Sequence, residues 1–289
     1  MIGNWFHRVK SVLLGSRAVG APVTHIYISG WRGDFEFTKC CVASIRHWYP
    51  DIPISLIKDC LHGDYDTRAL EQAFDVRIFP STRRGHGFGA AKLEPLFQEH
   101  TERCLILDSD IVFLGPVLAR LERFPQDFVV TLENHTLSHI CECYYNPQEL
   151  RELDPDFVFP GYAFNTGQIT ATTGLLRRGD FEEYIAFEDP PRVLRPEIFK
   201  CGEQGLLNFV LLRLKQQGRI TLARTPFTNW PPGMQNEDVD LDRLRSGEGY
   251  NMLLHWAGFK QYQPATAPLA HVLRYFLEIY NRKTEALQF

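Results

Sequence analysis

Residues 104–116 read CLILDSDIVFLGP: an apolar run, two aspartates two positions apart, a second apolar run, then Gly-Pro. Leu105, Ile106 and Leu107 have the character of a buried strand, and Gly115-Pro116 that of a turn. Asp108 and Asp110 therefore stand where a central strand leaves the core. Carboxylates are costly to bury unless a cation meets them. The stretch thus predicts a strand end that binds something positive.

The chain around it alternates strands and helices. THIYIS (24–29) reads as a strand, and Phe35, Val42, Ile45 and Trp48 or Tyr49 mark one helix face that ends at Pro50. ISLIKD (54–59) and VRIF (76–79) are further strands separated by a short helix over 66–74. The polar loop PSTRRGHGFG follows, then a helix over roughly 90–99, then the strand that carries the aspartates. Such alternation predicts an α/β fold with a mostly parallel sheet and ligands at its carboxyl edge. Downstream, 127–132 is a strand, and 133–160 is too long for a simple connection. Residues 163–173 look extended, 203–218 form a helix closed by Gly218, 252–256 are a strand and 269–283 an apolar closing helix. The expected organisation is one domain over 23–289, with a nucleotide-binding half to about 115 and an acceptor-side half beyond it.

The composition is that of a soluble protein, with 44% hydrophobic and 23% charged residues. A net charge of −4 argues against a nucleic-acid binder, which needs a basic field. The seven cysteines are odd in number and several sit in apolar runs, which predicts free buried thiols in a reducing, cytoplasmic setting. Residues 1–22 place Ile2, Trp5, Phe6, Val9, Val12 and Leu13 at helical spacing among basic residues. One reading is a helix over residues 1–20 in peripheral contact with a membrane; a helix packed on its own domain, or a loose end, is the favoured one.

Two chemistries use aspartates at a strand end. Haloacid-dehalogenase-type phosphatases carry a nucleophile and an acid/base at D-x-D-x-[TV], which Asp108, Asp110 and Val112 satisfy, and the acidic run 237–242 could supply their magnesium ligands. Their nucleophile stands on the first strand, however, and here 107 residues come first. Metal-dependent glycosyltransferases place D-x-D after the fourth strand, where hard oxygen ligands hold Mn²⁺ or Mg²⁺ against the diphosphate of a nucleotide sugar.

Downstream residues separate the two. The chain resembles the glycogenin-like family of retaining glycosyltransferases in five blocks, in order: Lys92 within AAKLEPLF, CLILDSDIVFL, AFNTGQI (163–169), EQGLLN (203–208) and LLHWAGFK (253–260). The resemblance implies a type A glycosyltransferase fold and transfer of a hexose, from UDP-glucose or UDP-galactose, to a glycan, glycolipid or glycoprotein hydroxyl. It implies a metal held by Asp108, Asp110 and His255, and a donor site formed by Ser29, Lys92, Asp108, Ser109, Asp110, Asn165, Gly258 and Lys260. Gln204, Glu203 and Lys92 are the expected catalytic residues. A neutral imidazole completes a two-carboxylate metal set, although a core histidine is the plainer reading of His255 alone. Asn165 and Gln204 offer donors and acceptors to sugar hydroxyls. Two departures stand out: Glu203 replaces the family's Asp, and Lys260 follows Gly258 one residue early. After the first strand the chain has Ser29-Gly30-Trp31, and Trp31 is either a base-stacking ring or core. A non-catalytic nucleotide-sugar-binding protein is the remaining alternative.

Overall fold

The computed structural model describes residues 20–87, 89–258 and 263–287. The N-terminal helix expected over 1–20 and the expected donor ligand Lys260 fall outside them. The chain opens with β1 (His25–Trp31), α1 (Phe35–Trp48), β2 (Ile54–Asp59), α2 (Arg68–Phe74) and β3 (Val76–Ile78). The helix expected over 90–99 is instead a 3-10 winding over Ala90–Phe97. Pro95 lies inside it and has no N–H for an α-helical bond. The aspartate stretch then supplies β4 (Arg103–Asp108) and β5 (Ile111–Phe113), and α3 (Leu118–Leu121) and β6 (Phe128–Thr131) follow.

The long segment 133–160 contains two short helices, α4 (Leu137–Cys143) and α5 (Pro147–Leu153), each capped by the side chain before it, Thr136 and Asn146. Of the expected extended run 163–173, only β7 (Gln168–Thr172) is a strand. The remainder of the chain holds β8 (Ile185–Ala186), β9 (Arg192–Val193), α6 (Glu203–Gln216), β10 (Leu222–Thr225), β11 (Thr228–Asn229), α7 (Leu241–Arg245), β12 (Leu253–His255) and α8 (Ala270–Glu285).

The main sheet has the order β10-β6-β7-β4-β1-β2-β3. All neighbours are parallel except at β7, which runs antiparallel to β4 and β6. Side chains alternate faces along a strand. Ile26, Ile28, Leu105 and Leu107 thus join one core with α1 and α8, while Tyr27, Cys104 and Ile106 join a second with α6. Both faces are covered, as a parallel sheet requires. The carboxyl ends of β1, β2 and β4 bring Ser29, Asp59 and Asp108 to one edge.

A second sheet, β11-β12-β5, begins where the first ends. After Asp110 the chain leaves the main sheet, and β5 pairs antiparallel with β12 in a register that sets Ile111 opposite His255. Trp256 N–H donates to the Asp110 carbonyl at 3.0 Å. That pairing carries a histidine from near the C-terminus to the aspartates.

Among the described residues no helix is long and apolar enough to cross a membrane. All seven cysteines are free; Cys40, Cys41 and Cys104 are buried, and the other four are partly or fully exposed.

Candidate active site

Asp108, Asp110 and His255 each offer a ligand atom within 4.8 Å of the others. His255 Nε2 lies 3.3 Å from Asp110 Oδ1 and 3.7 Å from Asp108 Oδ2. Asp110 is 1% exposed, and neither of its carboxylate oxygens has a hydrogen-bond partner among the described residues. Buried polar groups are almost always satisfied, and a carboxylate more strictly than most. Two bare oxygens facing an imidazole nitrogen and a second carboxylate are what a divalent cation completes. Two oxygens and one nitrogen suit Mn²⁺ or Mg²⁺ with positions left for other ligands.

Gly167 makes room for this group. A Cβ there would sit 2.2 Å from His255 Cε1 and 2.8 Å from Asp108 Oδ2. The glycine of AFNTGQI thus has a steric reason, which the sequence reading passed over. Its carbonyl also accepts the Asp108 N–H at 2.7 Å. Gly167→Ala is expected to lower metal affinity by more than about 10-fold and to destabilise the fold by about 1–3 kcal/mol, as an overpacked site does. Metal titration and thermal unfolding of the variant check both.

Lys92 is enclosed beneath the aspartates. Its ammonium contacts Glu203 Oε1 at 2.5 Å and Asp108 Oδ1 at 3.0 Å, and donates to the Thr166 carbonyl at 3.3 Å. Burial alone would lower its pKa, but the Asp108 and Glu203 carboxylates outweigh burial and raise it, so it stays charged. Glu203 also accepts from Thr166 Oγ1 at 3.1 Å. It is the first residue of α6, a position that suits a negative charge. A Cβ on Gly89, whose φ is +81°, would run into its carboxylate. Lys92 and Glu203 are therefore a buried pair behind Asp108 and line neither cavity described below.

Gln204 and Asn165 are brought together, Asn165 Nδ2 donating to Gln204 Oε1 at 3.2 Å. Gln204 Nε2 donates to the Cys143 carbonyl at 3.2 Å. Asn165 Oδ1 accepts from Gly167 N–H at 2.8 Å, and its own N–H donates to Glu133. Asn208, the last residue of EQGLLN, clamps the loop by bonding Phe164 N–H at 2.9 Å and the Phe164 carbonyl at 2.7 Å. The two blocks thus form one unit, hinged on side-chain amides.

Two cavities meet at Asp108, which lines both. The larger, about 970 Å³, also holds Asp110, His255, Asn165, Gln204 and Gly258, and is lined as well by Glu133, His135, Tyr144 and Trp230. The smaller, about 230 Å³, lies at the ends of β1 and β2 and holds Ser29, Trp31, Asp34, Asp59 and His62. Trp31 is partly exposed there, its ring edge-on to His62 at 5.6 Å, so it faces the cavity and not the core. Ser109, expected among the donor ligands, turns its hydroxyl away and donates to Asp34 Oδ2 at 2.6 Å. Asp34 and Asp59 went unnoticed in the sequence. Asp59 could have been found as the last residue of a predicted strand; Asp34 carries no such signal.

No family model matches the chain, and no curated protein matches its sequence. Solved structures do match in fold. The galactosyltransferase LgtC, in complex with donor and acceptor sugar analogues, superposes with a TM-score of 0.53 at 16% identity, over 89% of this chain and 95% of that one. The bifunctional glycosyltransferase WbbM gives 0.57 at 13% identity, over 92% of this chain and 52% of that one. The glycosyltransferase GlyE of Streptococcus pneumoniae TIGR4 gives 0.52 at 13%, over 91% and 63%. The chain shares the type A fold of these glycosyltransferases.

Proposed function

We propose that the protein is a metal-dependent retaining glycosyltransferase that moves a hexose from a nucleoside diphosphate sugar to a hydroxyl acceptor. The observation that carries this reading is the Asp110 carboxylate, buried and unsatisfied, beside Asp108 and His255 where two cavities join. Support also comes from the fold, and from a structural neighbour that is a galactosyltransferase seen with donor and acceptor sugar analogues.

On this reading the smaller cavity takes the nucleoside, with Trp31 for the base and Asp59 for the ribose. The diphosphate lies over Asp108, and the sugar reaches into the larger cavity toward Asn165 and Gln204. A bound Mn²⁺ or Mg²⁺ would supply Lewis-acid stabilisation to the diphosphate leaving group. Lys92 holds Asp108 in place and balances its charge. Gly258 lets the backbone approach a phosphate, and Lys260 adds a point charge to it.

Glu203 is the candidate base for an inverting reaction, but its carboxylate is taken by Lys92 and Thr166 and lines neither cavity. That favours the retaining course, in which the departing diphosphate accepts the proton of the incoming hydroxyl on the same face. Residues 132–136, His139, Tyr144 and Trp230 line the same cavity as the metal group, and an acceptor glycan, glycolipid or glycoprotein would lie against them. Segments 133–160 and 226–250 both contribute to this cavity, whereas 80–89 gives Gly87 and Gly89 to the smaller one. UDP-glucose and UDP-galactose are the first donors to try.

The phosphatase reading has less behind it. The acidic run at 237–242 puts Glu237 and Asp240 on a separate surface depression with His271, away from Asp108. Self-glycosylation on Tyr144 or Tyr145 is disfavoured, since both are buried.

A panel of nucleotide sugars, with and without Mn²⁺, scored by release of free nucleotide, tests the proposal. Release is expected with a UDP-hexose and only with metal. Metal-dependent binding without release from any donor would favour a non-catalytic binding protein, and no binding of any donor would refute both.

A further inference from the structure

The floor of the larger cavity contains two thiols that the transfer chemistry does not use. Cys143 ends α4, and Cys201 stands in the turn just before α6. The Lys200 N–H donates to the Tyr144 carbonyl at 2.8 Å, tying the chain beside one cysteine to the chain beside the other. Gln204 Nε2 makes a second tie, to the carbonyl of Cys143 itself. Both cysteines line the cavity, Cys201 is exposed and Cys143 partly so, which leaves them open to solutes. Cys201 also sits at φ +50°, a left-handed conformation rare for a side-chain-bearing residue.

We propose that Cys143 and Cys201 are a redox pair that closes to a disulfide, fixing the α4–α6 junction beneath the larger cavity. Their side chains line the same cavity on either side of these ties; burial and the neighbouring Cys201 hold the Cys143 thiol above its usual range. The more exposed Cys201 is therefore the first to react. Its thiolate attacks a low-molecular-weight disulfide such as oxidised glutathione, forming a mixed disulfide and releasing one glutathione thiolate, which takes up a proton. Cys143, as thiolate, then attacks the Cys201 sulfur and releases the second glutathione. In sum two protein thiols are oxidised by two electrons, and one glutathione disulfide is reduced to two thiols.

Other cysteines provide internal controls. Cys40, Cys41 and Cys104 are buried, while Cys60 and Cys141 are partly exposed and lack this pairing across a backbone tie. The experiment treats the full-length protein with oxidised glutathione, alkylates remaining thiols under denaturing conditions and maps peptides by mass spectrometry. The expected result is one Cys143–Cys201 cross-linked peptide, loss of alkylation at those two positions only, and full recovery after dithiothreitol. Stable glutathione on Cys201 with Cys143 still alkylated would overturn the proposal, as would a cross-link that involves Cys141. The readout is a covalent bond in the unaltered chain, so it stands or falls separately from sugar transfer.

Discussion

Asp110→Asn is expected to lower metal-dependent turnover more than about 100-fold while leaving the metal-free protein more stable than the wild type. Residues that merely support a metal ligand account for about 10–100-fold, so a direct ligand lies beyond that range. The stability half follows from the orphaned oxygens. Among the described residues the Asp110 carboxylate is buried and has no hydrogen-bond partner. An amide of the same shape can donate to His255 Nε2, 3.3 Å from the present oxygen, and sheds the desolvation cost. A gain of about 1–3 kcal/mol is expected in chemical denaturation without metal. With saturating metal and nucleotide the order should reverse, because ligand binding stabilises only the wild type. A variant that is less stable in both conditions would mean the carboxylate serves the fold and not a cation.

Lys92→Ala is expected to be the most destabilising substitution in the site, by about 3–5 kcal/mol, because removing one partner of a buried ion pair strands the other charge. Here two carboxylates, Asp108 and Glu203, share the ammonium, and both lose it. The double variant Lys92→Met, Glu203→Gln should recover part of the loss, since the apolar stem then meets a neutral amide at 203 and only Asp108 keeps its charge. Urea midpoints at constant slope measure the two effects. A loss below about 1 kcal/mol for Lys92→Ala would place the lysine among ordinary exposed pairs and contradict the buried arrangement.

The reach of the sequence differs between the fold and the site. Period-two and apolar runs located β1, β2, β3 and β4, and helical spacing located α1, α6 and α8, because each of these buries a continuous face against the sheet. Pro95 marked the failure at 90–99, where a missing N–H turns an expected α-helix into a 3-10 winding. In the site, Asp108 and Asp110 were legible as polar residues at the end of a buried strand. His255 was not legible from local pattern: it meets Asp110 only through the β5–β12 pairing, across more than a hundred residues of chain. The family resemblance anticipated that contact. Lys92 shows the opposite limit, for a lysine in a motif was expected over the donor, yet its charge is spent on Asp108 and Glu203. No one-dimensional pattern tells a lysine that faces a ligand from one that faces a carboxylate.

The central claim is that Asp108, Asp110 and His255 hold a divalent ion beside a nucleoside diphosphate. Titrating Mn²⁺ into the protein, followed by the loss of its free-ion paramagnetic resonance signal, measures that directly. The account predicts saturable binding to the wild type that tightens when UDP is present, and its loss in Asp110→Asn and His255→Ala. Equal Mn²⁺ binding by the wild type and both variants, or none by the wild type even with UDP, would contradict it.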